Sequence, residues 1–241
     1  MPNGRRLRPD AERFSQLLTR TRMTDLWHFA PLSHAPSILF HRAVYSIEEL
    51  ERRGLRVIDR ASREDDIRRG VGNVVKVSTQ PYWHMLSRLM RDGIPHILVR
   101  FSADPVLWAD TTFGDRNVWE NGWNHGDSYE FAEQRVFVRK GQYAGTSPPE
   151  IYVERELPLT PHAKSLYTYL RDETEPLERL MARLGIGTPI RPVTAGPKAR
   201  PFPDHCHDDY TSNRAEHLEK VRRYFDSLTL QSLQRGVEIE P

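Results

Sequence analysis

The sequence predicts an α+β fold in which a mixed central β-sheet is flanked by helices and followed by C-terminal helices. The chain has 241 residues, 38% of them hydrophobic, which is enough for one packed core. Short β-branched runs alternate with segments of helical periodicity in the first two thirds, and helical periodicity dominates the last third. No period of about 20–50 residues repeats, which excludes solenoids and propellers.

The first part of the chain predicts helices and strands in alternation. Phe14, Leu17 and Leu18 recur at helical spacing behind Asp10, and Gly54 is typical of a helix end. The predicted elements are a helix over residues 10–21, a strand over 25–30, a short helix over 33–40, a turn at 44–46 and a helix over 46–54.

The middle of the chain holds the strongest strand signals. Residues 74–78 (VVKVS) are β-branched between Gly72 and Pro81, and residues 95–101 (PHILVRF) are more apolar still. The further predicted elements are a helix over 82–90, a turn or short helix at 104–110, and strands over 135–139 and 150–155.

Residues 111–134 are polar and rich in Gly, Asn and Trp, and they predict a long connection without regular structure. Connections of this length commonly form binding loops, so we expect substrate contacts here. Aromatic and cationic side chains in the loop can stack on single-stranded bases and clamp their phosphates. The candidates for nucleic-acid binding are Arg116, Asn117, Trp119 and Trp123. The alternative is that the tryptophans only anchor the loop to the core.

The last third predicts a helix over residues 162–184, a Pro/Gly-rich linker over 185–211 and a final helix from 212 to about 233. The final helix repeats apolar residues at Leu218, Val221, Phe225 and Leu228, which is typical of a helix that docks on a core. A dimer interface is the alternative.

Composition excludes several classes of protein. No apolar stretch approaches the ~18 residues that cross a bilayer, and the arginine-rich start lacks the apolar segment of a secretory signal, so we expect a cytosolic chain with no membrane partner. The single cysteine, Cys206, supports neither an internal disulfide nor a Cys-rich zinc site. A net charge of +2 does not by itself indicate a nucleic-acid binder.

Common catalytic motifs are absent. The sequence contains no P-loop, GxSxG or HExxH, and GVGN at residues 70–73 lacks the third glycine of a dinucleotide fingerprint. Residues 204–209 (DHCHDD) combine metal-ligand types, but adjacent residues rarely converge on one ion without a partner element. No metal site is therefore predicted.

Four blocks of sequence, taken in order, carry a family resemblance. They are residues 26–46 (LWHFAPLSHAPSILFHRAVYS), 63–85 with RED and VKVSTQPY, 97–117 with ILV, DPVLW, Phe113 and Asn117, and 149–159 (PEIYVERELPL). No block is specific alone, but in their order and spacing they resemble the DarT-type DNA ADP-ribosyltransferases. Ala30 stands where the family frequently has Thr, and the Tyr-Val-Pro-Phe-Tyr-Phe strand of the better-known branch is absent.

The resemblance implies an ADP-ribosyltransferase-like core over residues 24–160. A basic N-terminal segment over 1–23 precedes this core, and a helical C-terminal extension over 161–241 follows it. The core would use NAD as a substrate and transfer ADP-ribose from it. A carboxylate is the group that such a reaction needs beside the oxocarbenium-like ribose.

The resemblance also assigns site residues. It implies that Glu150 is the catalytic carboxylate, that His28 binds the nicotinamide ribose, and that Arg63 serves as catalytic and NAD-binding donor. Arg60, Arg68 and Arg69 lie in the same segment and are alternatives to Arg63. Two further NAD-binding positions are Ala30 and Ser37.

The implied acceptor is a nucleobase in single-stranded DNA, and the implied role is that of a toxin held in check by a macrodomain-type antitoxin. A transferase acting on RNA or protein is one alternative. A binding module that has kept the fold and lost turnover is another, and it predicts that Glu150, His28 and the loop arginine do not converge on one pocket.

Overall fold

The fold is built around an eight-stranded sheet. The computed structural model describes residues 5–55, 64, 66–81, 91–137, 148–187, 190–194 and 204–235. Its described strands are β1 Asp25–Pro31, β3 Val74–Ser78, β4 His96–Ser102, β5 Thr111–Gly114, β6 His125–Gly126, β7 Glu150–Glu154, β9 Ala163–Thr168 and β10 Pro192–Thr194, and a separate pair is β2 Ala43–Tyr45 with β8 Glu156–Pro158. The order in the sheet is β10-β9-β4-β1-β3-β7-β5-β6, and all neighbouring strands are antiparallel except β10 and β9.

Helices cover the sheet and complete one core. The longer described helices are α1 Ala11–Thr21, α2 Ala35–His41, α3 Ile47–Arg52, α4 Arg171–Arg183, α5 Asp204–Ser227 and α6 Leu230–Arg235. One buried cluster joins Leu26 of β1 with Phe14 of α1, Leu177 of α4 and Phe225 of α5. None of the helices within the described ranges has the length and apolar composition that a bilayer crossing demands.

Local sequence explains where the early elements begin and end. Ser46 caps α3 by accepting a hydrogen bond from the backbone N–H of Glu49 at 3.2 Å, and Gly54 follows with a positive φ of 69°. The predicted strand over 25–30 and helix over 10–21 are confirmed by β1 and α1. The helix predicted over 82–90 lies outside the described residues.

The strand predicted over residues 135–139 is wrong for residues 135–137, because Ala132–Phe137 forms a π-helical turn, and residues 138 and 139 lie outside the described residues. Ser128 caps the preceding helical turn by accepting from the N–H of Phe131 at 3.1 Å. Val136 and Phe137 are both buried although they are neighbours. A wide helical turn can bury two neighbours in this way, whereas a strand turns alternate residues to opposite faces.

The prediction of a structureless connection over 111–134 is also wrong. The segment begins with β5 and returns as β6, which pairs with it. The carboxylate of Asp115 joins the two by accepting from the backbone N–H and the side-chain amide of Asn124, each at 3.0 Å. These side-chain bonds add to the backbone bond from Asp115 N–H to the carbonyl of Asn124 at 3.0 Å, and strand periodicity does not reveal them.

Beyond residue 160 the chain is not purely helical. The predicted helix over 162–184 is instead the strand β9 followed by α4, because residues 163–168 pair with β4 on one side and β10 on the other. The predicted linker over 185–211 contains β10 and the start of α5. The sheet is therefore continuous across residue 160.

The arginines of the basic N-terminal segment are engaged within the fold. Arg8 is buried, lies over the ring of Phe14 at 3.8 Å and donates to the carbonyl of Asp127. Arg5 forms an ion pair with Asp110. These two side chains serve packing at the end of the sheet that holds β5.

Candidate active site

Glu150 is the first residue of β7, and its side chain is only 5% exposed. One carboxylate oxygen accepts from the amide Nδ2 of Asn117 at 2.7 Å. The other accepts from the backbone N–H of Val118 at 3.1 Å and from the hydroxyl of Tyr152 at 2.9 Å. The carboxylate is thus fixed by three donors from two segments of the chain.

The direction of these hydrogen bonds is set by a further layer of contacts. Asn117 must present its NH₂ group to Glu150, because its Oδ1 accepts from the N–H of Trp119 at 2.8 Å. Tyr152 must donate to Glu150, because its oxygen accepts from Nε1 of Trp123 at 2.9 Å. The position of Glu150 therefore suits a group that only accepts, which is an ionised carboxylate.

Burial acts in the opposite direction on the same group. Loss of solvent raises the pKa of Glu150 to about 7, while the Lys76 ammonium and the hydrogen bonds from Val118 and Tyr152 lower it. A carboxylate with a pKa near neutrality can accept a proton and release it at physiological pH.

Gly114 makes room for this arrangement on the neighbouring strand. A Cβ at this position would lie 2.5 Å from the hydroxyl of Tyr152 and 2.8 Å from Nε1 of Trp123. A glycine is therefore required where the Tyr152–Trp123 pair crosses β5.

His28 lies at the junction of β1 and β3, which share a single bridge at Trp27–Ser78 within the described chain. Its Nδ1 is 3.0 Å from the carbonyl oxygen of Lys76. A carbonyl only accepts, so Nδ1 carries the hydrogen, and burial lowers the pKa of the imidazole. In this tautomer of the neutral ring, Nε2 carries no hydrogen and can accept a hydrogen bond.

Cross-strand register places a single row of residues on the face of the sheet that carries Glu150. Each residue is the direct partner of the next, and direct partners project from the same face. The row is Ser165, Arg100, Trp27, Ser78, Glu150, Gly114 and His125, on seven neighbouring strands. Strict alternation thus assigns Trp27 to this face and turns His28 to the opposite one, where the described contact of the His28 ring is with the backbone carbonyl of Lys76 on β3.

The other predicted residues occupy different places. Ala30 is buried in the core opposite Ile97, and Ser37 is partly exposed on α2, so neither is brought to Glu150. Arg63 lies outside the described residues, as does Arg60.

Of the four predicted nucleic-acid contacts, one is buried and three are partly exposed. Asn117 is buried and is used by Glu150, while Trp119 is partly exposed. Trp123 is also partly exposed, and its ring stacks on that of the exposed His125 at 5.6 Å. Arg116 is partly exposed and donates to Asp115 at 3.2 Å. Contact of these residues with nucleic acid stays a prediction.

Sequence reasoning missed three contributors to the site. Tyr152 lies two residues after Glu150, so strand alternation placed it on the same face and was the available signal. Lys76 is simply the middle residue of its strand, and a position of that kind does not mark a site residue. The backbone N–H of Val118 carries no sequence signal either, because nearly every residue has an N–H. Among the described residues no cluster of three or more metal-ligating side chains is found.

Comparison with known proteins is informative only at the level of structure. No family model and no curated protein matches the sequence. The structure matches Thermus sp. 2.9 DarT in complex with ADP-ribosylated ssDNA with a TM-score of 0.57 and 14% identity, over 79% of this chain and 97% of that one. The chain has the DarT fold.

Two further structures agree. Thermus sp. 2.9 DarT in complex with NAD⁺ matches with a TM-score of 0.54 and 14% identity, over 70% of this chain and 94% of that one. Thermosipho africanus DarTG in complex with ADP-ribose matches with a TM-score of 0.52 and 14% identity, over 71% of this chain and 50% of that one. The predicted ADP-ribosyltransferase-like fold, and with it the resemblance to DarT, is confirmed at the level of the fold.

Proposed function

We propose that this chain is an NAD-dependent ADP-ribosyltransferase that modifies a nucleobase in single-stranded DNA. The observation that carries the proposal is the buried Glu150 carboxylate, held by three donors at the start of β7 in a DarT fold. The structural neighbours named as complexes with NAD⁺ and with ADP-ribosylated ssDNA support the choice of substrates.

The chemistry suits a carboxylate in this setting. Cleavage of the bond between ribose C1′ and the nicotinamide nitrogen leaves the bonding pair on nicotinamide and positive charge on the ribose. The Glu150 carboxylate stabilises that charge, and a nucleobase nitrogen or oxygen then forms the new bond to C1′. The proton released by the base passes to Glu150, whose pKa of about 7 suits both uptake and release.

Further residues singled out in the sequence are proposed to bind NAD. The neutral imidazole of His28 offers Nε2 as an acceptor for a ribose hydroxyl, since Nδ1 donates to Lys76. Arg63 is proposed for the pyrophosphate, because a guanidinium fork matches phosphate oxygens. The stacked rings of Trp123 and His125 offer a surface for a neighbouring base.

A biological role follows from the same proposal. A transferase that modifies single-stranded DNA would block replication, so we propose a cytosolic toxin controlled by a macrodomain-type antitoxin. The resemblance in sequence and the DarTG neighbour support this partner.

The test is incubation of the purified chain with labelled NAD and a mixed-sequence single-stranded DNA, followed by mass analysis. We expect a gain of one ADP-ribose unit on the DNA and a loss of about 10²–10⁴ in rate in Glu150→Gln. The matched control is Glu154→Gln, at the other end of the same strand. Duplex DNA, RNA and protein are parallel arms, and label on none of the four acceptors would support the binding module instead.

A further inference from the structure

Lys76 lies at the centre of the candidate site although no sequence signal singled it out. On β3 it pairs directly with Tyr152, and Ser78, two residues on, pairs with Glu150. Because side chains alternate along a strand, Lys76 projects from the same face as Ser78, Glu150 and Tyr152.

The ammonium of Lys76 is held in one position by a buried partner. Nζ lies 2.7 Å and 2.6 Å from the two carboxylate oxygens of Asp66, whose side chain is only 3% exposed. Nζ also lies 5.7 Å from the centre of the Trp119 ring. An ammonium fixed in this way cannot turn out to solvent as a surface lysine does.

The same ammonium supports the loop that binds Glu150. Trp119 donates its N–H to Asn117, which in turn donates to Glu150. The guanidinium of Arg69 also lies over the Trp119 ring, 5.7 Å from its centre, and it donates to the carbonyl of Val118 at 2.8 Å. The loop that supplies two of the three donors to Glu150 therefore rests on Lys76 and Arg69.

The balance of charge around Glu150 depends on Lys76. The described charged groups that act on Glu150 are Lys76 on β3 and Asp66 ahead of it, and Tyr152 on its own strand donates a hydrogen bond to it. Arg69 contacts the same loop, and Asp115 at the end of β5 is bound by Arg116 and Asn124. Lys76 thus pairs with Asp66 and also acts as a positive charge on Glu150.

We propose that Lys76 is a positioning residue whose ammonium keeps the Glu150 carboxylate ionised and its binding loop in place. The catalytic consequence rests on the proposed function: with Lys76 neutralised, the carboxylate holds its proton to higher pH and cannot stabilise positive charge or accept a proton there. A nearby opposite charge typically changes a pKa by about 1–3 units, and Lys76 is the group whose charge lowers the pKa of Glu150.

The first measurement does not depend on activity. Carboxyl carbon-13 NMR of glutamate-labelled protein follows the titration of Glu150, whose signal is assigned by its absence in Glu150→Gln. We expect the midpoint to rise by about one pH unit or more in Lys76→Gln and to stay within a few tenths in Lys76→Arg. Lys164→Gln is the control, because Lys164 also pairs with a carboxylate, that of Asp25, but on β9.

The second measurement is the pH profile of transfer in the same variants. We expect the acidic limb of kcat/KM to move upward by the same amount as the NMR midpoint. If Lys76→Gln does not fold because Asp66 loses the lysine ammonium, the double variant Asp66→Asn with Lys76→Gln takes its place, and a rise of about half a unit or more is expected.

The outcomes separate the two proposals. An unchanged Glu150 midpoint in the folded neutral variant overturns the role of Lys76, whether or not the protein transfers ADP-ribose. A raised midpoint in a protein that modifies no acceptor supports the role of Lys76 and contradicts the proposed function. A raised midpoint with an unmoved acidic limb overturns the catalytic part of this inference.

Discussion

At the scale of single residues, Glu150 is held by groups whose hydrogens cannot turn away from it. Asn117 and Tyr152 each use their accepting atom elsewhere, on Trp119 and Trp123, and so only a donor faces the carboxylate. Burial and hydrogen bonding thus oppose each other at one side chain. This conflict is typical of sites where function is maintained at a cost in stability.

The conflict predicts a pH dependence of stability. The pKa of Glu150 is raised to about 7 in the folded state from its ordinary value of 4.5, so the folded chain holds a proton that the unfolded chain has lost between these values. The contribution of Glu150 is therefore greatest below pH 4.5 and is lost as the pH rises through 7. Relative to Glu150→Gln, the wild type should lose on the order of 2 kcal/mol between pH 5 and 8.

Urea unfolding of both proteins at several pH values from 5 to 8 measures this difference. If the difference in the free energy of unfolding between the two proteins stays constant over this pH range, Glu150 has the same pKa in the folded and the unfolded state. Comparison with Glu150→Gln is needed because other carboxylates titrate at the acidic end in both proteins.

Tyr152→Phe tests the chain of hydrogen bonds directly. The change removes one donor from Glu150 and leaves Nε1 of Trp123 without its acceptor. We expect a loss of about 1–3 kcal/mol in the free energy of unfolding and a fall of about tenfold in transfer rate. Tyr129→Phe is the matched control, since its hydroxyl also donates to a glutamate, Glu133, away from the site. Equal effects of the two changes would contradict this account.

At the scale of elements, periodicity predicted four of the eight described strands of the sheet and missed β5, β6, β9 and β10. β3, β4 and β7 lie where β-branched and apolar runs placed them. Residues 111–137 were misjudged because the Asp115 side chain closes the β5–β6 hairpin and a π-helical turn buries two neighbouring apolar residues. Neither device has a period, so neither could be found by counting along the chain.

Gly114→Ala tests the close approach between β5 and β7. The added Cβ would lie 2.5 Å from the hydroxyl of Tyr152, so the Tyr152–Trp123 pair has to shift. Overpacking of this kind costs about 1–3 kcal/mol, and we expect transfer to fall with it. Gly187→Ala is the control, because nothing lies within 4 Å of its added Cβ. Thermal unfolding of both variants measures the difference. Equally small shifts in their melting temperatures would contradict close packing at Gly114.

At the scale of the whole molecule, the C-terminal third is part of the sheet and of its core. β9 lies between β4 and β10, and Glu173 at the start of α4 accepts from the hydroxyl of Tyr210 on α5. The resemblance could not predict this, because its blocks end near residue 160. Composition predicted the helices there but not the strands, because residues 163–168 form a strand only through partners on both sides.

This continuity predicts that a chain ending at residue 160 does not fold. It would lose two strands of the sheet together with Leu166, Leu177 and Phe225 of the common core. We expect no cooperative unfolding transition by circular dichroism and rapid digestion by protease, in contrast to the full chain. A cooperative transition in the short chain would show that the first 160 residues form a domain of their own.

The row that runs from Arg100 through Trp27 and Ser78 to Glu150 sets which parts of the chain can change in length. Insertion of one residue within β3 or β7 would bring Val77 or Ile151 to the face now held by Ser78 or Glu150. Insertions in the connections leave the pairing untouched and move only what those connections carry. Related chains can therefore diversify in loop length while every strand of this row keeps its count of residues, and an insertion within a strand would mark a lineage in which the site has been lost.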